Sequence, residues 1–254
     1  MLNRNLSKRL ITAAAVAVTL GGAGAAAAEV LVLRAQGPGA SRHYRAGTHL
    51  PDATLFNLRV GDSLVVLTSG GTRSFRGPGV YSASQNPTPF VMADGRRVRV
   101  RAGVVRGEPR EEGVQPTEIW DFDSRDSDSL CIAAGARPTL WRPASASAVR
   151  VTITAATGAS ASFDWPAGVA RMPWPQELAA VDGGVYSLAT DRSRRTVQIT
   201  TRMLPALAQG DLDRLAAALL AGQCRTQLDT LIATRPDPAA PVMASGATAA
   251  RSGG

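Results

Sequence analysis

The sequence predicts a mainly β protein: a small N-terminal β-barrel or meander, then a β-sandwich-like domain closed by a C-terminal helical segment. Three observations predict it. Short apolar runs, several alternating with polar residues, recur through the chain. Gly-rich and Pro-containing turn pairs separate them, the strongest hairpin signal a sequence carries. After Pro205 the apolar spacing changes from two residues to between three and four, the period of a helix.

The elements follow in order. Val30-Leu31-Val32-Leu33 is a first strand, ended by Gly37-Pro38-Gly39. In "ATLFNLRVGDSLVVLTSGGTRSFRGPG", Leu55 to Val60 alternate, Gly61-Asp62 turns, and Leu64 to Leu67 returns as a strand. Gly70-Gly71 turns again before Thr72 to Arg76. "GRRVRVRAGVV" puts Arg97, Arg99 and Arg101 on one strand face, either a solvated edge or an anion-binding stripe. "RGEPREEGVQP" is charged and without period, so it reads as a linker with a boundary near Gly113. Short β-rich runs from "SLCIAAG" to "RTVQITTRML" have the spacing of a sandwich. "DLDRLAAALLAG" is a helix with Asp211 as N-cap and Gly222 as stop, and "QCRTQLDTLIA" continues the helical stripe through Cys224. The organisation expected is therefore an N-terminal β domain over 29–113, a sandwich-like domain with C-terminal helices over 114–234, and a disordered Pro/Ala/Gly/Ser-rich tail over 235–254.

The first 28 residues set the expected compartment. Arg4, Lys8 and Arg9 precede an apolar stretch from Leu10 to Leu20, and Ala26-Ala27-Ala28 supplies small residues for cleavage. That is the pattern of a secretory signal peptide cut after Ala28. The apolar stretch is shorter than the ~20 residues a membrane span needs, and no later segment reaches that length, so no transmembrane segment is expected in the mature chain. A periplasmic location follows. In an oxidising compartment Cys131 and Cys224, the only cysteines, read as one disulfide. The whole chain has 28 Lys+Arg and 20 Asp+Glu; without the three basic residues of the signal, 25 basic residues face 20 acidic ones, a net +5. An excess carried entirely by arginine suits an envelope protein, lipopolysaccharide or another anionic envelope polymer rather than nucleic acid.

Gly61-Asp62-Ser63-Leu64 spells the signature of a large esterase family. Ser63 nevertheless lacks a base: His43 and His49 are the only histidines, both upstream, and a strand rather than a helix follows the serine. The two histidines match no zinc spacing. Asp121, Asp123, Asp126 and Asp128 miss the EF-hand register, with Asp126 where glycine belongs and Ile132 where glutamate belongs. No catalytic residues, metal or cofactor are assigned. Trp120, Trp141, Trp165 and Trp174 all fall after the boundary near Gly113, as sandwich core or as a stacking platform. Trp141, Trp165 and Trp174, with Asp164 beside Trp165, are the ligand-binding candidates.

The run "LRVGDSLVVLTSGGTRSFRGPG" resembles a stretch of small, uncharacterised exported β-rich proteins of Gram-negative bacteria. It also looks like the periplasmic domain of FecR-type proteins, which sense signals at the outer membrane. "LCIAAGARPTLWRP" through "GGVYSLAT" looks like the remainder of the same exported family. FecR-type proteins carry a cytoplasmic anti-sigma segment and a membrane span where this chain has a signal peptide. The resemblance implies a non-catalytic β module with no catalytic residues to transfer. The expected function is a periplasmic binding or accessory module acting on an envelope partner. The alternatives are an envelope-polymer hydrolase working through two carboxylates and a carbohydrate-binding module using the tryptophans.

Overall fold

The first strand, β1 (Glu29–Gln36), has no polar face over its first half: Val30, Leu31, Val32 and Leu33 are all buried. Successive side chains point to opposite faces of a strand, so a run of this kind must be covered on both sides. It is. Val30 and Val32 enter one core, Leu31 and Leu33 another. The computed structural model describes residues 28–83, 90–91, 97–98, 115–144, 146–206 and 210–237, and the architecture follows from how those two cores are closed.

The N-terminal part contains α1 (Ala40–His43), β2 (His49–Pro51), β3 (Leu55–Leu58), β4 (Ser63–Thr68), β5 (Gly71–Arg76) and β6 (Gly79–Ser82). An antiparallel sheet runs in the order β2-β1-β4-β5, and β3 and β6 form a separate ribbon. The strands described form an open sheet and a ribbon, not a closed barrel. Phe56 and Leu58 of the ribbon pack on Val32, Leu64, Val66 and Phe75 of the sheet. Tyr44, Phe56, Phe75 and Tyr81 stack in series, with ring centroids 5.5, 5.6 and 5.4 Å apart. The β4–β5 hairpin forms as the sequence predicts, with its turn one residue earlier than expected: Ser69-Gly70 make the loop, and Gly71 opens β5 opposite Thr68. The expected return of β4 along β3 is corrected: β3 pairs with β6, and the corner at Arg59–Asp62 carries the chain from ribbon to sheet.

A two-stranded ribbon of β7 (Phe90–Val91) and β8 (Arg97–Val98) comes next. The boundary expected near Gly113 lies outside the described residues. The second part comprises β9 (Asp121–Asp123), β10 (Asp128–Ile132), β11 (Thr139–Trp141), β12 (Val149–Ala155), β13 (Ser160–Trp165), β14 (Arg171–Pro173), β15 (Val185–Thr190) and β16 (Ser193–Met203). A five-stranded sheet in the order β10-β16-β15-β12-β13 faces a three-stranded sheet β14-β11-β9. Leu130, Val151, Ile153, Leu188, Val197 and Ile199 of the first meet Phe122 and Leu140 of the second. The pairs β10–β16 and β9–β11 are parallel.

Two helices end the described chain, α2 (Leu212–Ala221) and α3 (Arg225–Thr234). Asp211 caps α2 by accepting the Arg214 N–H at 3.0 Å, and Gly222 stops it. Cys224 is buried, but as the N-cap of α3 rather than within a continuous helix. It is joined to Cys131 of β10. The helices lie between the two β parts. Ala216, Leu219, Leu228 and Leu231 pack against Leu31, Leu33 and Leu67 from one side and Cys131 and Leu204 from the other.

Polar contacts fix the helices to both parts. Gln227, fully buried, accepts the Cys131 N–H at 2.6 Å and donates to the Cys131 and Ile119 carbonyls, each at 2.9 Å. Its amide stands in for a neighbouring strand along β10. Asp128 accepts the Thr226 N–H at 2.7 Å and so caps α3 from outside. Arg34 of β1 pairs with Asp229. The tail expected to lack structure from Arg235 is corrected over its first three residues: Thr72 N–H donates to the Arg235 carbonyl at 2.7 Å, and Asp237 N–H to the Thr72 carbonyl at 3.0 Å. The Asp237 carboxylate, buried, lies 3.0 Å from the Arg73 guanidinium. Residues 238–254 lie outside the described residues.

The disulfide closes a sequence separation of 93 residues, which by chain entropy stabilises the fold by about 4–5 kcal/mol. The shared core makes a sharper test. Leu31→Ala, a substitution in the N-terminal sheet, is expected to lower stability by about 2–5 kcal/mol. It should shift the urea midpoint read by tryptophan fluorescence, although every tryptophan lies in the second β part or just before it. An unchanged midpoint would mean that the two β parts unfold independently.

Candidate functional site

Residues 61–64 build a corner, not a nucleophile. The Asp62 N–H donates to the Arg59 carbonyl at 3.0 Å, closing a turn with Gly61 at a φ of 83°. The buried Asp62 carboxylate accepts the Arg59 N–H at 2.8 Å and the Gly39 N–H at 2.9 Å. A Cβ on Gly37 or Gly39 would sit 2.5 or 2.4 Å from its oxygens. Gly-Pro-Gly at 37–39 and Gly-Asp at 61–62 are therefore two halves of one clamp. Ser63 opens β4, and its hydroxyl contacts Gln36 Oε1 at 3.4 Å. His43 ends α1, and His49 lies near Glu29 and Asp213, at 3.7 and 3.9 Å. The backbone N–H of Arg59 holds the Asp62 carboxyl below its ordinary value, with the N–H groups of Ala40 and Gly39 and the Arg59 charge adding to it against desolvation.

The four acidic residues of "DFDSRDSDS" diverge. Asp121 is bound by Arg171 at 2.6 Å, Asp123 by Arg125 through two bonds of 2.8 and 2.6 Å, Asp126 approaches Arg195 at 3.6 Å, and Asp128 caps α3. Burial pushes the Asp121 carboxyl up, and Arg171 opposes it. A raised carboxyl is what a general acid needs, but Asp121 is clamped by its arginine and lines none of the cavities described below.

Trp141, Trp165 and Trp174 are core residues, and the stacking-platform reading is corrected. Their faces are taken. Arg125 lies over Trp141 at 5.1 Å, Arg142 over Trp165 at 4.7 Å, and Tyr186 meets Trp174 edge-on at 5.1 Å. The Trp165 and Trp174 indole N–H groups donate to the Val169 and Leu178 carbonyls. Trp120 is half-buried against the helical core. Asp164 does not share a site with Trp165: strand alternation turns it to solvent, where it pairs across β12–β13 with Arg150 at 3.1 Å. Arg97 lies in β8, while Arg99 and Arg101 lie outside the described residues.

What the structure does assemble is a cavity of about 290 Å³ at one open end of the facing sheets. Its floor is apolar: Val149, Val151, Leu188, Val197 and the Trp165 ring. Three arginines from three segments stand around it: Arg125 after β9, Arg142 after β11 and Arg195 on β16. Arg125 and Arg195 have carboxylate partners, Asp123 and Asp126. Arg142 is only 5% exposed and has none among the described residues. Its Nη1 donates to the Ser147 carbonyl at 2.8 Å, its Nη2 to Trp165 and Pro166 at 3.1 and 2.6 Å, and its Nε to Val169 at 3.5 Å. Burial lowers its pKa.

Two further grooves are built differently. One, about 430 Å³, lies where β1, β2 and β4 meet the start of α2, and holds Glu29, His49, Asp211 and Asp213. The other, about 420 Å³, runs past Trp174 and Pro175 to the exposed Met203. No protein-family model matches the chain, and no curated protein matches it.

The depressed Asp62 carboxyl gives a signed pH dependence. Its ionised form stabilises the fold fully above the unfolded value, about 3.9, and that contribution is lost as pH falls through the lower folded value. Asp62→Asn is thus expected to reduce stability at neutral pH. The gap to wild type should narrow as pH drops below about 4. Urea midpoints across that range test it; a gap that widened with acidification would refute the clamp.

Proposed function

We propose that this chain is a non-catalytic binding or accessory module of the periplasm that engages an envelope partner through the arginine-walled cavity. The observation that carries the reading is Arg142: a buried guanidinium with no carboxylate partner among the described residues, in the wall of an apolar-floored cavity. A buried charge without a counter-charge is costly, and a bound anionic group offsets that cost. Among the described residues the cavity lining contains no carboxylate, cysteine or histidine, so its hydroxyls, Ser124, Thr190 and Ser193, have no side-chain base beside them in the lining.

A periplasmic location is supported by the leader pattern of residues 1–28 and by the bonded cysteine pair. Cleavage after Ala28 leaves β1 whole, since that strand begins at Glu29. No helix among the described residues is long and apolar enough to cross a membrane. The stretch that resembles FecR-type proteins, 58–79, builds β4 and β5 behind the Asp62 corner, a scaffolding role consistent with a binding module.

The test is crosslinking in intact cells followed by recovery of the chain from the periplasm. Wild type should capture an envelope component, and Thr190→Trp, which fills the cavity, should lose it. Equal capture by both would move the binding surface elsewhere. Intact mass of the recovered chain should place its first residue at Glu29.

A further inference from the structure

Building on that reading of the cavity, we propose that it binds an amphiphilic anion: one short alkyl or acyl chain ending in a carboxylate or phosphate, the chain along the valine-lined apolar floor and the head group among Arg125, Arg142 and Arg195.

The two chemistries of the cavity are separated. The floor consists of sheet residues that belong to the apolar core, Val151, Leu188, Val197 and Trp165 among them, which are buried and present their apolar atoms to the cavity from beneath half-buried Val149 and Ala146. An apolar surface of this kind favours a hydrocarbon over water. The polar groups stand on the loops and strand ends around it. Three guanidiniums there face two carboxylates, and the one without a partner is the buried Arg142. Of the five N–H bonds of a guanidinium, four of Arg142's are directed at the carbonyls of Ser147, Trp165, Pro166 and Val169. Those carbonyls and the Trp165 ring beneath the guanidinium hold the group in place, and being neutral they supply no counter-charge. Arg195, with its side chain 65% exposed and its carboxylate at a loose 3.6 Å, is free to turn toward an incoming anion.

Size narrows the class. At about 290 Å³ the cavity is at the small end of ligand pockets, which run from roughly 300 to 1,000 Å³. A single chain of about eight carbons fits that volume; a two-tailed lipid does not. A free inorganic anion would leave the floor unused, and a neutral chain would leave Arg142 unpaired. The cavity therefore selects for both halves of the molecule at once.

The experiment titrates the mature chain with butyrate, hexanoate, octanoate, octyl phosphate, octyl glucoside and inorganic phosphate, by calorimetry and by the Trp165 indole N–H resonance. Octanoate or octyl phosphate should bind and move that resonance. Each methylene from butyrate to octanoate should tighten binding roughly three- to fourfold. Octyl glucoside, neutral with the same chain, should bind at least tenfold more weakly, and added salt should weaken the anions alone. Arg195→Gln, an exposed change that leaves the core intact, should weaken the anions severalfold and leave octyl glucoside unaffected. Arg142→Gln, if it folds, should remove the preference for anions.

Equal binding of octyl glucoside would overturn the anionic assignment while leaving a binding cavity. Inorganic phosphate as tight as octyl phosphate would overturn the chain. Failure of all six probes, with cellular capture still abolished by Thr190→Trp, would overturn the ligand class alone. Failure of the probes together with undiminished capture by that variant would overturn both this proposal and the functional reading.

Discussion

One apolar cluster joins the parts of this protein. Leu31, Leu33 and Leu67 come to it from the N-terminal sheet, Cys131 and Leu204 from the second β part, and Ala216, Leu219, Leu228 and Leu231 from the helices between them. β1 and β10 are each buried on both faces because of it. Val30 and Val32 look one way and Leu31 and Leu33 the other; Leu130 and Ile132 enter the sandwich while Cys131 enters the shared cluster. Neither strand has a solvent side to give up, so removing the helices would expose leucines on one part and a buried cysteine on the other. Fully burying a leucine stabilises by about 1.5–3 kcal/mol, and several act together here.

The polar contacts around the cluster are arranged to satisfy backbone rather than to add charge. β10 is the edge of the five-stranded sheet, and an unpaired edge invites pairing with another chain. Gln227 occupies that edge with a side-chain amide that donates and accepts as a strand would. Pro236 and its neighbours do the same for β5 with backbone. In both places the C-terminal segment closes an edge that its own β part leaves open.

Much of this was legible in the sequence wherever the cause is local. The β4–β5 hairpin is marked by the glycine pair at 70–71, although the loop itself is Ser69-Gly70, the limits of α2 follow from Asp211 and Gly222, and the Cys131–Cys224 bond matches the pairing expected of the two cysteines. The unbroken run Val30–Leu33 marked a first strand, but its two-sided burial depends on the helices that cover its outer face. The pairing of β3 with β6 was hidden, because the Arg59–Asp62 corner reads as a hairpin turn until one knows that Asp62 is held by Gly39. The parallel pairs β9–β11 and β10–β16 leave no turn signature. The cavity arginines lie in "SRD", "LWRP" and "RSRRT", stretches with nothing local to mark them. That Arg142 covers the Trp165 ring depends on a strand more than twenty residues away.

The two-sided burial of β1 also sets an order of assembly. The residues that cover Leu31 and Leu33 are among the last of the described chain. During synthesis the first strand can acquire its inner core from β3 to β6 early, but its other face must wait for α2 and α3, nearly two hundred residues later. Contacts between such distant segments slow folding. A ribosome-bound chain therefore carries an exposed leucine pair until α2 and α3 emerge, so the leading β part alone cannot close its own first strand.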